Sequence, residues 1–178
     1  MMNAVKLVVA TILVVIGCLP AAGQTQPVGF EGAKWIWFSQ EPMPMSQSFP
    51  GGANYFRGTF VLPEKSQVKS AEVICAADNL YTLYINGKLV GESEPDPNAW
   101  HRAKRFDVAA MLVPGRNVVA VEAINTVPGA AGLIVKLAAQ LADGRQVVCV
   151  SDEPWKSLDK ELPNWQQPNL DDKRWRAA

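Results

Sequence analysis

The chain has 178 residues, of which 48% are apolar and 19% charged, so it can form one globular domain with a sizeable core, and this composition excludes a disordered chain. Its 17 basic residues balance its 17 acidic residues, which leaves no net field to attract nucleic acid or an anionic membrane. Thirteen Pro and thirteen Gly favour a fold with many turns.

The first 23 residues are typical of a secretory signal peptide. Lys6 supplies the positive charge, residues 7–16 form the apolar stretch, and Ala21-Ala22-Gly23 resembles a cleavage site. An alternative is a bacterial lipoprotein signal, because Val15-Ile16-Gly17-Cys18 resembles a lipoprotein box that would place a lipid on Cys18, and a short signal anchor is a third interpretation. The prediction is a secreted or periplasmic protein, and no later run approaches the ~20 apolar residues that a membrane-spanning helix needs.

The mature part of the chain begins with a short segment of low predicted order. Residues 24–32 are predicted to be a disordered lead-in, and residues 33–178 are predicted to form one module. The aromatic run at residues 33–38 favours a strand or a plug against the core. Residues 39–53 contain several Pro and Gly and predict a long surface connection.

The next elements are predicted to be two strands and a β-hairpin. Residues 54–62 and 70–77 alternate apolar and polar side chains, as half-buried strands do. Residues 78–91 then enter and leave the pair Asn86-Gly87, which is preferred in a two-residue type I′ hairpin loop because both positions need φ > 0. One face of this hairpin is predicted to meet the core. The other face, which carries the hydroxyls of Thr82 and Tyr84, is where a ligand is first expected.

The second half of the chain continues the β pattern after a long polar loop at residues 92–104. Loops of this length are often functional. Residues 106–112 predict one helical turn capped by Asp107. Residues 116–125, 132–142 and 146–151 predict three further strands. The tail is expected to fold back over the sheets, since exposed indoles at Trp155, Trp165 and Trp175 would be a liability.

Short strands separated by turns predict an all-β fold, an antiparallel β-sandwich with one short helical turn. Two cysteines remain in the mature chain, Cys75 and Cys149, in a compartment that permits disulfides. They would form one bridge if their strands are neighbours or face each other across the core. Two buried reduced thiols are the equally open alternative.

Several short motifs together resemble a known module, the galactose-binding-like jelly roll. The motifs are Ala33-Lys34-Trp35-Ile36-Trp37, Phe56-Arg57-Gly58-Thr59-Phe60, Ala77-Asp78-Asn79, Leu83-Tyr84-Ile85-Asn86-Gly87, Phe106-Asp107-Val108, Pro114-Gly115-Arg116-Asn117, Trp155-Lys156 and Asp171-Asp172-Lys173-Arg174-Trp175. The chain is most similar to the N-terminal accessory domains of bacterial α-L-rhamnosidases and related secreted glycoside hydrolases. The resemblance implies a non-catalytic domain that binds sugars through a loop-lined edge or packs against a catalytic domain.

The residues themselves predict no enzyme. Hydrolysis of a glycoside needs two convergent carboxylates, and the adjacent pairs Asp152-Glu153 and Asp171-Asp172 are typical of turns. His101 is the only histidine and lies in a loop without a nucleophile motif, which also makes zinc improbable. The relatives continue past the motif at residues 171–175, so the sequence is also compatible with a fragment of a larger enzyme.

A sugar site needs an aromatic platform and polar partners for hydroxyl groups. The predicted ligand-binding residues combine the long loop with nearby strand ends: Asp78, Asn79, Tyr81, Trp100, Arg102 and Asn125. The alternative for Trp100 is a plug that closes one end of the sandwich. No cofactor is predicted, although the oxygens of Asp78, Asn79 and Asn125 would suit a structural calcium ion. Because no spaced ligand motif is present, a turn-forming role for Asp78-Asn79 is favoured over a metal site.

The sequence therefore predicts a secreted, non-catalytic, carbohydrate-binding module with a polysaccharide as partner. The alternative is a structural or protein-interaction domain that belongs to, or derives from, a larger secreted glycoside hydrolase such as an α-L-rhamnosidase.

Overall fold

The protein is described from a computed structural model, which covers residues 27–38 and 48–178. The predicted signal peptide and Cys18 lie outside these residues, as does most of the predicted connection at residues 39–53. No helix among the described residues is long and apolar enough to cross a membrane.

The described part of the chain is built from ten strands and two single-turn 3₁₀ helices. The strands are β1 (Gly52–Leu62), β2 (Val68–Asp78), β3 (Leu80–Ile85), β4 (Lys88–Glu92), β5 (Lys104–Asp107), β6 (Gly115–Asn125), β7 (Gly132–Leu141), β8 (Gln146–Val150), β9 (Lys156–Leu158) and β10 (Arg176–Ala177). The first 3₁₀ helix spans Ala99–His101 and the second spans Ala109–Met111.

The strands form two antiparallel sheets that pack face to face. The six-stranded sheet has the order β10-β9-β1-β6-β3-β4, and the four-stranded sheet has the order β5-β2-β7-β8. Alternate residues of the long strands point into the space between the two sheets. In the six-stranded sheet, Phe56 of β1 is the cross-strand neighbour of Val121 of β6, and Val121 is the neighbour of Leu83 of β3; all three are fully buried. This topology confirms the predicted all-β sandwich. The prediction succeeded because the alternation of apolar residues identified the buried face of each long strand.

The Asn86-Gly87 hairpin is also confirmed. Both residues have positive φ, 51° at Asn86 and 79° at Gly87, and the flanking residues Ile85 and Lys88 pair directly across the loop. A two-residue loop of this kind matches the twist of the two strands that it joins.

The predicted helical turn at residues 106–112 is shorter than expected. Phe106 and Asp107 belong to β5, where Phe106 pairs with Val73 of β2 and packs against the core. Only Ala109–Met111 form a helical turn, and the Asp107 carboxylate accepts a hydrogen bond from the Ala109 N–H at 3.0 Å. The local capping signal was correct, while strand pairing of Phe106 moved the start of the turn.

The C-terminal tail folds back over the sandwich, as predicted. Trp155 is buried in the main core, whereas Trp165 and Trp175 form a second cluster on the outer face of the six-stranded sheet. The Trp165 ring contacts the ring of Tyr84, with 5.6 Å between centroids. The hairpin face on which a ligand was first expected is therefore covered by the tail at Tyr84, which corrects that expectation.

The predicted disulfide is a second correction, because Cys75 and Cys149 are both buried free thiols. Cys75 in β2 lies opposite Val135 of β7, and Cys149 in β8 lies opposite Leu137 of β7. Since β7 separates the two strands, two strand spacings of ~4.8 Å lie between the cysteines, beyond the ~7 Å that a bridge allows between Cα atoms. The alternative of two buried thiols is the arrangement in the structure.

Residues 27–32, part of the predicted lead-in, contact the outer face of the four-stranded sheet. The Val28 N–H donates to Glu72 Oε1 at 2.9 Å, and Arg105 donates to the Val28 carbonyl at 3.0 Å. Glu31 also forms an ion pair with Lys136 at 3.0 Å. The boundaries of the signal peptide and the lead-in stay predictions, since residues 1–26 lie outside the described part.

Candidate functional site

Five of the six predicted ligand-binding residues lie around one end of the sandwich. Asp78 is the last residue of β2, Asn79 separates β2 from β3, and Asn125 is the last residue of β6. Trp100 and Arg102 belong to the loop that carries the first 3₁₀ helix, which packs beside β2. Residues far apart in the sequence therefore meet because antiparallel strands bring alternate chain reversals to the same end.

Asn79 connects the segments at this end of the sandwich through both polar atoms of its side-chain amide. Its Nδ2 donates to Asp78 Oδ1 at 2.7 Å and to the Pro97 carbonyl at 3.0 Å. Its Oδ1 accepts hydrogen bonds from the N–H and the hydroxyl of Thr126, both at 2.9 Å. Asn79 thereby links β2, the loop before the first 3₁₀ helix and the chain that follows β6.

Asp78 contributes a carboxylate that is partly removed from water. Burial raises the pKa of Asp78 above the usual 3.8 for this residue type. One of its oxygens accepts the hydrogen bond from Asn79. A carboxylate in this setting gains when a hydroxyl donor or a cation approaches it, because such a partner replaces the lost hydration.

Asn125 is buried and has one unused acceptor. Its Nδ2 donates to the carbonyls of Phe49 and Pro50 at 3.2 and 3.1 Å. Its Oδ1 has no hydrogen-bond partner among the described residues, although the residue is only 1% exposed. An unpaired buried oxygen costs free energy unless a further donor or an ion satisfies it.

Trp100 is 48% exposed, so it does not plug the end of the sandwich. Its neighbour Ala99 is the buried residue of this helix, and the Trp100 ring meets His101 edge to face with 5.5 Å between centroids. Arg102 forms ion pairs with Asp96 and, at 3.0 Å, with Glu94. These ion pairs raise the pKa of Arg102 and hold its guanidinium in the loop.

Tyr81 does not join this group. It points into the core from β3, is 4% exposed, and its hydroxyl has no hydrogen-bond partner among the described residues. Burial raises its pKa, with a smaller contribution from Cys75 in the opposite sheet. Tyr81 follows the alternation that places Leu83 and Ile85 inside, and this alternation was the signal that separates it from the accessible residues.

Two residues with unusual environments were not among the predicted site residues. Arg57 is 1% exposed and binds the tail on the outer face of β1. Trp35 is 50% exposed and lies against Gly132, the first residue of β7. The aromatic run at residues 33–38 suggested packing for all its members, and only the tertiary structure shows which indole stays accessible.

The oxygens at this end fit calcium in kind, because calcium in proteins binds carboxylate and amide oxygens. Asp78 offers a carboxylate, and Asn125 offers its unpaired Oδ1. Asn79 Oδ1 already accepts two hydrogen bonds. The part of the chain that the structure describes contains no group of three or more His, Cys, Asp or Glu side chains that could hold a metal ion. Water or ligand oxygens would have to complete the six to eight ligands that calcium takes.

No family model matches the chain. The α-L-rhamnosidase of Streptomyces avermitilis is 35% identical to it over 158 residues, which cover 86% of this chain and 15% of the rhamnosidase. In the crystal structure of that enzyme complexed with L-rhamnose, the matching part superimposes with a TM-score of 0.73 and covers 83% of this chain and 14% of the enzyme chain.

A lectin has a similar fold. The crystal structure of a lectin from Pleurotus ostreatus in complex with GalNAc matches with a TM-score of 0.72 and 28% identity, over 87% of this chain and 44% of the lectin chain. The chain is a β-sandwich domain similar to a small part of α-L-rhamnosidases and to this lectin. The resemblance predicted from the sequence motifs is thereby confirmed, and the chain spans only about 15% of the length of the rhamnosidase.

Proposed function

We propose that this chain is a carbohydrate-binding module whose site is formed by Asp78, Asn79, Trp100, Arg102 and Asn125. The observation that carries the proposal is the half-exposed Trp100 beside a strand end where hydrogen bonds fix Asp78 and Asn79. Neither an exposed indole nor a partly desolvated carboxylate is needed to fill the core. Both are useful for a ligand with hydroxyl groups on a ring that has apolar C–H faces.

Binding would combine stacking with directed hydrogen bonds. The indole of Trp100 would cover one face of a sugar ring, while Asp78 and Arg102 would pair with its hydroxyls. Because Asn79 and the ion pairs of Arg102 already hold the polar groups in place, little side-chain entropy would be lost on binding. Because Trp100 would cover only one face of a sugar ring and many hydroxyls must be desolvated, we expect a Kd of ~10 μM to 1 mM.

The sugars to test first follow from the similar proteins. The rhamnosidase structure contains L-rhamnose and the lectin structure contains GalNAc. Polysaccharides that contain rhamnose, galactose or uronate are the next class to test. A polymer offers the same sugar unit many times, so a weak site can still hold the protein on it.

We also propose that the module is non-catalytic and acts outside the cytoplasm. The two carboxylates that meet at the site, those of Glu94 and Asp96, are both paired with the Arg102 guanidinium. This supports the first part, because a glycosidase needs one carboxyl with a raised pKa, and the pKa of Asp96 is lowered. A further carboxylate, Glu122, lies on the outer face of β6 and accepts a hydrogen bond from the Tyr55 hydroxyl at 3.3 Å. The second part rests on the predicted signal peptide at residues 1–23.

Calcium belongs to the proposal as a structural ion at this strand end, with the Asp78 carboxylate as its charged ligand. When bound, it would neutralise that carboxylate. The melting temperature and the sugar affinity, each measured with added calcium and with EGTA, test this part. Equal values under both conditions would exclude calcium.

A second candidate function is a domain that packs against other domains. The observation that favours it is the small share of the rhamnosidase, 15%, that the chain matches. Such a domain would bind no sugar, and its exposed apolar residues, among them Val61 and Leu89, would lie in the contact.

Isothermal titration calorimetry separates the two candidates. Wild-type protein is titrated with L-rhamnose, GalNAc and the polysaccharides, beside Trp100→Ala and a control, Leu89→Ala. Leu89 is 55% exposed and lies next to the Asn86-Gly87 loop, at the other end of β3 from Asn79. We expect Trp100→Ala to abolish binding and Leu89→Ala to retain it. No binding to any of these sugars by the wild-type protein would replace the sugar site with the packing function.

A further inference from the structure

Trp35 has a rigidly held backbone and an accessible side chain. The Ile36 N–H donates to the Leu133 carbonyl, and the Ile36 carbonyl accepts the return bond from the Leu133 N–H, both at 2.9 Å. On the other side, the Lys34 N–H donates to the Ser151 carbonyl at 2.7 Å. The backbone on both sides of Trp35 is thus paired with β7 and with the end of β8, while the indole stays 50% exposed.

Gly132 provides the surface on which this indole lies. A Cβ atom placed on Gly132 would be 2.7 Å from Cε3 and 3.3 Å from Cζ3 of Trp35. Real Cβ atoms do not approach other atoms so closely, so the six-membered part of the indole rests directly on the glycine backbone. Glycine allows this close approach because it has no side chain. The ring is therefore supported by the sheet and remains open to solvent.

Asp78 is the direct cross-strand neighbour of Gly132. Residues that face each other in an antiparallel pair project their side chains to the same side, ~5 Å apart. The Asp78 side chain and the Trp35 ring thus share the outer face of the four-stranded sheet. On the other flank of β2, Lys104 of β5 pairs with Cys75, and the chain just before Lys104 is the first 3₁₀ helix with Trp100.

The Trp35 ring rests on Gly132 of β7, and the helix that carries Trp100 leads into β5, so the ring and this helix lie on opposite sides of β2. Neighbouring strands are ~4.8 Å apart, so about two strand spacings, ~10 Å, separate the Trp35 ring from β5. A single sugar ring stacked on Trp100 and bonded to Asp78 would leave Trp35 uncovered.

We infer that Trp35, resting on Gly132, is the stacking platform of a second sugar subsite that adjoins the proposed one across Asp78. The ligand is then an oligosaccharide or an internal stretch of a polysaccharide, with at least two sugar units in contact, and not a single terminal sugar. This inference rests on the proposed function, because it extends the same site.

The test compares each sugar as a free monosaccharide and as the terminal unit of a disaccharide. L-rhamnose is paired with α-L-rhamnosyl-glucose, and GalNAc is paired with GalNAc-galactose, each titrated calorimetrically into the full chain. Stacking on one more aromatic ring corresponds to about tenfold in affinity. We expect wild-type protein to bind one disaccharide about tenfold more tightly than its monosaccharide.

Substitutions then assign this gain to Trp35. Trp35→Ala should remove the tenfold gain and leave the monosaccharide Kd unchanged, whereas Trp35→Tyr should keep most of the gain because the ring is retained. Trp100→Ala should weaken both ligands, and Leu89→Ala neither. Thermal melting of each variant verifies folding. If Trp35→Ala does not fold, Trp35→Leu takes its place, because it keeps an apolar side chain on Gly132 without an aromatic ring and should also lose the gain.

Three results would overturn the inference while the proposed function survives. The first is equal wild-type affinity for both sugar lengths. The second is a disaccharide gain that persists in Trp35→Ala, and the third is an equal loss of monosaccharide and disaccharide binding in that variant. If wild-type protein binds neither the monosaccharides nor the disaccharides, both the proposed function and this inference are wrong.

Discussion

Arg57 lies on the outer face of β1, where the strand alternation places a solvent-facing side chain, and yet its side chain has no exposed surface. Its Nε donates to Asp172 at 2.9 Å, and its Nη1 donates to the carbonyls of Trp165 and Gln167. The guanidinium also lies 5.8 Å from the ring centroid of Trp175. Desolvation lowers the pKa of Arg57, and the contact with Asp172 opposes this shift.

Removing Asp172 should therefore destabilise the protein strongly. Asp172→Ala leaves a buried guanidinium without its counter-charge, a change that typically costs about 3 to 5 kcal/mol. Asp171→Ala is the matched control, because Asp171 is exposed and, among the described residues, its carboxylate accepts a hydrogen bond only from the nearby Lys173 N–H, at 3.1 Å. Urea unfolding of both variants measures the difference. A loss below about 1 kcal/mol in Asp172→Ala would mean that the ion pair does not hold the tail.

Asp78 should show opposite effects on stability and on binding. Burial raises its folded-state pKa above the usual 3.8, so its ionised form costs the folded state free energy at neutral pH, and this cost vanishes as the pH falls below the unfolded-state pKa. Asp78→Asn should thus keep or increase the unfolding free energy at pH 7 while weakening sugar binding. Wild-type binding should decline on acidification with a midpoint above 3.8. Chemical unfolding and titrations at several pH values test both effects, and a clear loss of stability in Asp78→Asn would contradict the sign.

Among the elements, the β3–β4 hairpin does more than reverse the chain. Asn86 donates to the Met111 carbonyl at 2.9 Å and to Asn117 Oδ1 at 2.8 Å, and it accepts from the Val118 N–H at 2.9 Å. The loop is thereby attached to β6 and to the second 3₁₀ helix.

Asn86→Gly should separate the turn conformation from these bonds, because glycine keeps the positive φ and loses the side chain. We expect a loss of about 1 to 3 kcal/mol, since buried donors and acceptors are left unpaired. Asn164→Gly is the control at a second Asn with positive φ, 58°, and should change stability by less than about 0.5 kcal/mol. The two midpoints of thermal unfolding should differ accordingly, and equal midpoints would show that Asn86 acts through its φ alone.

The tail is the element whose position was predicted in outline only. Its three tryptophans indicated burial, but the sequence did not show that Lys156–Leu158 and Arg176–Ala177 add two strands beside β1. Strands of two or three residues are too short to show a periodic pattern of apolar side chains. Arg57 was missed for a related reason, because its partner Asp172 lies 115 residues away in the sequence.

Trp165→Ala should show how much the tail stabilises the fold. Trp165 is 1% exposed and contacts the rings of Tyr55 and Tyr84, so its truncation should cost about 3 to 5 kcal/mol. A chain that lacks Trp155 to Ala178 should lose more and bind a hydrophobic dye. Trp100→Ala, at a half-exposed indole, should lie within about 1 kcal/mol of wild type. Similar melting curves for the two Trp variants would rule out the stabilising role of the tail.

At the scale of the molecule, the sandwich was predictable and the site only partly so. Alternation along β1, β2, β6 and β7 identified the core face, because the side-chain period of a strand is two residues. The same pattern grouped Tyr81 with the core residues Leu83 and Ile85, but it could not say that Trp35 would be accessible, since that depends on which segment covers which strand end. The strand order also decided that β7 separates the cysteines.

The molecule should accordingly melt at the same temperature with and without reductant. Burial raises the pKa of Cys149 to about 12 and that of Cys75 well above its usual value, so neither thiol should react in the folded state. Alkylation without reductant, followed by peptide mass spectrometry, should label both cysteines only after denaturation. Detection of a linked Cys75–Cys149 peptide would contradict this arrangement.

The strand order also has a consequence for how the chain folds. Along the chain, β1 precedes all the other described strands, yet its two neighbours in the sheet are β6 and β9. Its hydrogen bonds can therefore form only after most of the chain has been synthesised. Sheets dominated by such distant pairings fold in milliseconds to seconds, because the entropy cost of closing a long loop comes before the strand contacts that offset it. During synthesis both edges of β1 would stay unpaired until β6 and β9 have been made. A chaperone or rapid completion of the chain would then be needed to keep the apolar residues of β1 from associating with other molecules.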